Sequence, residues 1–274
     1  MRPTKPTLEH SRIGVIFWVF SILWLMGYGH GWSMDNPDAW GGVPGEKLEF
    51  DLQWLGIPAG RASITMTTES VKLVNFEAEA RTIGVLKIFG PFHDRIRAIA
   101  RKGTVDFTSL EVFKDQRKGQ DIRLTHDFFD WKNRLLTRNR QGEDLKGLPL
   151  EKLGTNDPVT GFFSIRSLPD FGPGKTIQKP MQVGWAIEEV TFRADGVERR
   201  FSPVGWFDVF RVRLEIPHSD LFRQPEDLVL WLTADRRRLP IRVESVLRLG
   251  RASADLIAYD DGRGGKKSAD KEKK

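Results

Sequence analysis

The sequence predicts a mainly β protein, a strongly curved antiparallel sheet or open barrel with one central helix. Three observations point there. Apolar residues recur at every second position over many short segments, the period of a half-buried strand. Turns rich in Gly, Pro and Asp separate those segments, as in antiparallel sheets with one polar face. A single segment near the middle carries helix-start residues where alternation would be expected.

The chain opens with Arg2, Lys5 and Arg12, then an apolar run from Ile13 to Met26, then Gly27, Gly29, Gly31 and Ser33. A positive start, a hydrophobic stretch and a small-residue exit make the layout of a secretory signal, which places the rest in a periplasm. Counted to Gly29, the run also reaches the roughly 17 residues of the shortest membrane-spanning helix. Trp18, Trp24 and Tyr28 would then serve as interfacial anchors. Residues 1–33 are thus a signal peptide cut before His30 or Trp32, or an N-terminal anchor that contacts the membrane if uncleaved. Residues 34–45 read as a spacer, 46–261 as one β-rich domain, and 262–274 as a disordered basic tail.

Strands follow in order. Leu48, Phe50, Leu52 and Trp54 alternate with charged and polar residues. The stretch Gly56-Ile-Pro-Ala-Gly60 turns the chain in a loop of about five residues, and Ala62, Ile64 and Met66 return. Val74, Phe76, Ala78 and Ala80 repeat the pattern, as do Ile96, Ala98 and Ala100, and then Ile122, Leu124 and His126. Segments 183–187, 190–194, 206–216, 228–233, 241–247 and 252–256 complete the series. The exception is 156–168. Asp157 is placed to cap, Pro158 tolerates the first helical position because its missing N–H has no intrahelical partner, and Val159, Phe162, Phe163 and Ile165 supply an apolar side. A helix of about three turns, ending before Pro169, is expected.

Composition narrows the chemistry. The chain has 274 residues, 39% hydrophobic and 29% charged, enough for a sizeable core in one domain. It has no cysteine, which removes disulfides, thiol nucleophiles and thiolate metal sites together. The net charge of +6 belongs to the ends: residues 1–32 carry net +2 and residues 262–274 net +4. The domain between them is neutral, so no nucleic-acid partner is expected.

Catalytic motifs are weak or incomplete. Gly172-Pro-Gly174-Lys175-Thr176 resembles the end of a phosphate-binding loop, but Pro169 stands where its first Gly belongs and no helix pattern follows. His93, His126 and His218 are far apart, and His93-Asp94 and His126-Asp127 are strand neighbours whose side chains point to opposite faces. No serine lies in a nucleophile-elbow pattern, and the carboxylate pairs 188–189, 226–227 and 260–261 are sequential. No catalytic residue, metal or cofactor is therefore expected. The nine Trp and 18 Phe are the remaining lead. Most belong to a core. A sheet that closes incompletely also leaves an apolar concavity, and Trp54, Phe76, Trp185, Trp206 and Trp231 are the candidate lining residues.

Three stretches carry a family resemblance. Gly45 to Trp54 followed by the Gly56–Gly60 turn, the Asp157-Pro158 helix, and Trp231-Leu-Thr-Ala-Asp235 running through Leu239-Pro240 to Gly250 resemble, in that order, the exported bacterial family called domain of unknown function 3108. Within that pattern Gly56, Gly60, Asp157, Pro158, Asp235 and Pro240 are the structural motif residues, and Thr160-Gly161 departs from the usual helix formers. The resemblance implies an exported β-rich domain and assigns no reaction. The closing hairpin is also distantly similar to periplasmic lipoprotein-carrier proteins, whose half-open barrels hold acyl chains. The expected function is non-enzymatic: binding of a lipid or other amphipathic envelope component in the concavity. A periplasmic protein partner and hydrolysis of an envelope polymer are the alternatives.

Overall fold

The computed structural model describes residues 41–84, 87, 91–217, 228–247 and 250–269. The leader, His218 and the 226–227 pair lie outside them. Fifteen strands form one antiparallel sheet. They are β1 (Glu46–Trp54), β2 (Ile57–Ser70), β3 (Leu73–Thr82), β4 (Phe92–Lys102), β5 (Phe107–Lys118), β6 (Asp121–Asp130), β7 (Leu135–Arg140), β8 (Glu143–Pro149), β9 (Thr176–Val183), β10 (Ala186–Ser202), β11 (Gly205–Glu215), β12 (Leu228–Thr233), β13 (Pro240–Leu247), β14 (Gly250–Asp261) and β15 (Lys266–Ser268). Among the described residues one helix, α1 (Pro158–Ser167), interrupts them. Strand order runs β8-β7-β6-β5-β4-β3-β2-β1-β14-β13-β12-β11-β10-β9, with β15 on β14. Every neighbour except β1–β14 is next in sequence, so the sheet is a meander whose two halves are joined at β1–β14.

The sheet is open rather than closed or strongly curled, which narrows the expected curved sheet or open barrel. Its end strands β8 and β9 share no ladder, and β9 instead makes a single bridge, Asn156 with Met181. Side chains still link distant strands: Gln182 on β9 donates to Asp127 on β6 (2.9 Å).

Local chemistry explains the differences from the sequence reading. The first hairpin turns on two residues, Leu55 (φ 53°) and Gly56 (φ 79°), since Trp54 pairs with Ile57. Two positive φ values match the right-handed strand twist, so a short loop replaces the expected five-residue one. Gly60 lies inside β2, where a Cβ would sit 2.6 Å from the Arg81 carbonyl oxygen. Segment 183–187 straddles the two-residue β9–β10 turn rather than forming a strand of its own, because Val183 pairs with Ala186. Strands β5, β7, β8, β9 and β15 were not anticipated; in the first three the core-bearing faces are largely polar, which hides the period. The spacer is docked from residue 41, with Val43 buried and Gly45 N–H donating to the Met66 carbonyl. Within the basic tail, Lys266–Ser268 form β15 and pair with β14.

Helix α1 lies against β4, β5 and β9 and buries seven of its residues. Asp157 Oδ1 accepts from Val159 N (2.8 Å) and Thr160 N (3.2 Å). Its Oδ2 accepts from Ser109 Oγ (2.7 Å), which in turn accepts from Asp157 N (2.9 Å). At Gly161 a Cβ would lie 2.6 Å from Met181 Cε, so the Thr-Gly pair lets the Met181 side chain close onto the helix. Phe163 stacks on Phe76 at 4.3 Å. At the far end Arg166, fully buried, donates to both Glu46 oxygens (2.8 and 2.7 Å) and to the Arg238 carbonyl (2.9 Å). Arg238 reciprocates by donating to the Arg166 carbonyl (2.9 Å) and those of Leu168 and Phe171.

Two predictions follow from this packing. Arg166→Ala leaves Glu46 buried and uncompensated, and should cost about 3–5 kcal/mol in denaturant unfolding, whereas the double change Arg166→Met with Glu46→Leu should recover much of it. The second concerns Asp94, which accepts from Arg117 N (2.8 Å) and Gln116 Nε2 (3.2 Å). Burial pushes its carboxyl up to about 7. The folded state then holds a proton that the unfolded state has released, so stability should fall as pH rises from about 4 to 7 and stay at that lower level above. Asp94→Asn should flatten this dependence and raise the melting temperature at pH 8.

Candidate functional site

The five aromatic candidates do not converge. Phe76 is fully buried between Phe163 and Phe107. Trp231 is buried on the opposite face of the sheet, its Nε1 donating to Glu198 (2.8 Å) and its ring covered by Arg200 at 4.2 Å. Both are packing residues. Trp54 packs against the core at the β1–β2 turn, and its Nε1 is buried without a partner. Trp185, in the β9–β10 turn, lies under the Arg138 guanidinium at 4.5 Å. Trp206 differs, because it is solvent-exposed.

Trp206 stands at the start of β11, opposite Phe201 on β10, with ring centroids 5.4 Å apart. Val197 pairs with Phe210, and the register places Val197, Phe201 and Trp206 on one face with it. Phe210 is buried against Phe171 (6.2 Å), so the same face is core at one point and open one or two residues later. Val197, Phe201 and Trp206 are 55%, 60% and 61% exposed. A bulge between Ala194 and Val197 lets β10 run past the core and carries this group outward.

Beside it opens a cleft of about 590 Å³ lined by Trp206, Phe207, Asp208, Asp235, Arg237, Tyr259 and Lys267. Its polar floor comes from the β12–β13 turn. Asp235 accepts from Thr233 Oγ1 (2.9 Å), from Arg237 N (3.0 Å) and from Arg237 Nη2 (2.6 Å). The Arg237 bond and charge hold the Asp235 carboxyl below the usual range despite burial. Arg237 also donates to Tyr259 Oη (3.3 Å), and Lys267 on β15 donates to the Val204 carbonyl (3.2 Å). The cleft thus combines aromatic walls with two fixed cations, Arg237 and Lys267, and two carboxylates, Asp208 and the Arg237-paired Asp235. Sequence reasoning found Trp206 and Asp235 but missed Phe201, Arg237, Tyr259 and Lys267. Alternation of Val197 and Phe201 with charged residues was the available signal; Lys267 had none, because it lies in the basic tail.

The remaining motif residues are structural. Gly56 and Gly60 shape the first hairpin, Asp157 and Pro158 start α1, and Pro240 opens β13 at the bulge opposite Leu232. Residues 172–175 form a turn leading into β9, with Lys175 N–H donating to the Gly172 carbonyl (3.0 Å). His93 and His126 meet Glu79 (2.8 Å) and Glu111 (3.0 Å) rather than their sequence neighbours; the first pair is exposed, and the second is half-buried with His126 stacked on Phe113. Among the described residues no three His, Cys, Asp or Glu side chains gather as metal ligands. Nor is any helix there long and apolar enough to cross a membrane.

Comparison with curated proteins finds no match. Among solved structures, the chain is similar to a β-barrel-like protein of domain of unknown function DUF1849 from Brucella abortus. That likeness has a TM-score of 0.50 at 10% identity, over 78% of this chain and 96% of that one, and it speaks to the fold alone. A Bacteroides fragilis protein with a YmcC-like fold aligns over 80% of this chain and 96% of its own at 10% identity, but its TM-score of 0.27 carries no weight. Residues 49–257 match the family described as Protein of unknown function (DUF3108), running from within β1 to within β14 and covering most of the first sequence stretch noted above and all of the other two. The chain belongs to the DUF3108 family.

Proposed function

We propose that this protein is a non-enzymatic binding protein of the cell envelope, exported by its N-terminal segment, that takes an apolar or amphipathic molecule at the open aromatic end of its core-bearing face. The observation that carries this reading is the Phe201–Trp206 pair, two large rings left 60% and 61% exposed at the mouth of the cleft. Exposed aromatic surface of this kind beside a cleft with a few fixed polar groups is the usual form of a small-molecule site. An acyl or aryl group would cover the two rings, while Arg237 and Lys267 suit an acidic or hydroxyl-bearing head.

A second reading has its own support. Ile122, Leu124 and Phe128 are exposed along the other face of β6, the arrangement by which a sheet face docks a protein partner.

Titrating the purified full chain with lauric acid and with dodecyl maltoside should shift tryptophan emission and raise the melting temperature with saturation. Phe201→Ala with Trp206→Ala should weaken binding by about 10- to 100-fold, from about 1–3 kcal/mol of lost apolar contact. Because both rings are exposed, the double variant should fold as stably as the parent. Unchanged affinity in that variant, or no response to either amphiphile, would move the assignment to partner docking on β6.

A further inference from the structure

The opposite end of the sheet carries a different chemistry. On the core-bearing face of β4 to β7, the apolar side chains Ala98, Ile96 and Val112 give way to Asp94, Lys114, Gln116, Arg123, Asp127, Arg138 and Arg140. Asp127 is fully buried and is the hub: Lys114 Nζ (3.0 Å), Arg138 Nε (2.5 Å) and Nη2 (2.6 Å) and Gln182 Nε2 (2.9 Å) all donate to it. Its acceptor capacity is therefore taken up. Arg138 is held further by the Gly184 carbonyl (3.3 Å) and the Trp185 ring.

Arg123 and Arg140 are left over. Thr125 pairs with Arg140, and Arg123 lies two residues before Thr125 on the same face, so the two arginines are diagonal neighbours across β6 and β7. Both are exposed. Many arginines of this sheet face carboxylates, as Arg61 does Asp51 (3.0 Å), Arg193 does Glu215 (2.7 Å) and Arg211 does Asp195 (2.7 Å). Arg123 and Arg140 have no ion-pair partner among the described residues; Glu143, across the turn from Arg140, and Asp121, before Arg123, stand at the rim. Desolvation, then the charges of Arg123 and Arg138, lower the affinity of Arg140 for its proton. The two like charges repel across the ladder, although Glu143 stands directly opposite Arg140, and an anion between the arginines would offset that repulsion. Two guanidiniums presented on one face from neighbouring strands offer paired N–H forks, the donor set that recognises phosphoryl oxygens.

We propose that Arg123 and Arg140, backed by the fixed Arg138, form a binding site for a phosphate group, at the end of the sheet opposite the aromatic cleft and independent of it. The phosphate is either free or the headgroup of a lipid, and the test separates the two. The melting temperature of the purified full chain is followed in inorganic phosphate and in dihexanoyl phosphatidic acid below its micelle concentration, against chloride at equal ionic strength. A saturable rise of about 3 °C at ten times Kd is expected. Equal affinity for both probes marks free phosphate as the source, and at least tenfold tighter binding of the lipid marks the headgroup. Arg123→Gln and Arg140→Gln should each weaken binding about tenfold and the pair should abolish it. Arg101→Gln, an exposed arginine on another strand, and the Phe201→Ala/Trp206→Ala variant should leave it intact. Should the double glutamine variant fail to fold, Arg123→Lys and Arg140→Lys keep the charge while removing the fork, and they should weaken binding without lowering the melting temperature. No difference between phosphate and chloride, or a rise that survives loss of both arginines, would overturn the site.

Discussion

Everything in this molecule depends on burying one short helix against one face of a very large sheet. A ten-residue helix brings unsatisfied N–H groups at its start and carbonyls at its end, and burial removes the water that would otherwise meet them. Asp157 answers the first end and is itself held by Ser109, and Arg238 answers the second by donating to the carbonyls of Arg166, Leu168 and Phe171. Arg166 then has to be neutralised in turn, and Glu46 at the start of β1 does so. This chain of obligations ties β1, β5, the helix and the β12–β13 turn together. Removing any one partner exposes the next as a buried, unsatisfied group.

The helix is also too short for the sheet. It covers the middle of the core-bearing face, where Leu48, Phe76, Ala78, Ala98 and Val112 pack tightly, and leaves both strand ends uncovered. The two ends resolve this differently. At one, β10 and β11 run on past the core and hold Phe201 and Trp206 in solvent beside the Arg237–Tyr259 cleft. At the other, the inward positions of β4 to β7 become charged, and Asp127 organises Lys114, Arg138 and Gln182 around itself. The Asp127 carboxyl is held down at about 2 by Lys114 and Arg138 in spite of burial, so Asp127 stays ionised across the physiological range.

The sequence by itself determined the period and the punctuation. Alternation from Leu48 to Trp54 and from Val74 to Ala80, Asp157-Pro158 before an apolar turn, and Asp235 before Leu239-Pro240 each act through neighbours in the chain, so strands, helix start and closing hairpin were legible. Strands β5, β7 and β8 were not, because their inward residues are polar and satisfied from other strands, as Lys114 and Arg138 are by Asp127. Tertiary structure alone decided which aromatics were core: Phe76 and Trp231 alternate like Trp206, but only long-range packing covers them. It also decided that Lys267 joins the cleft and that Arg123 meets Arg140, since register across strands, not spacing along one strand, sets which charges are neighbours. Local pattern records what a residue prefers; which face is covered, and by what, depends on partners as far apart as Glu46 and Arg166.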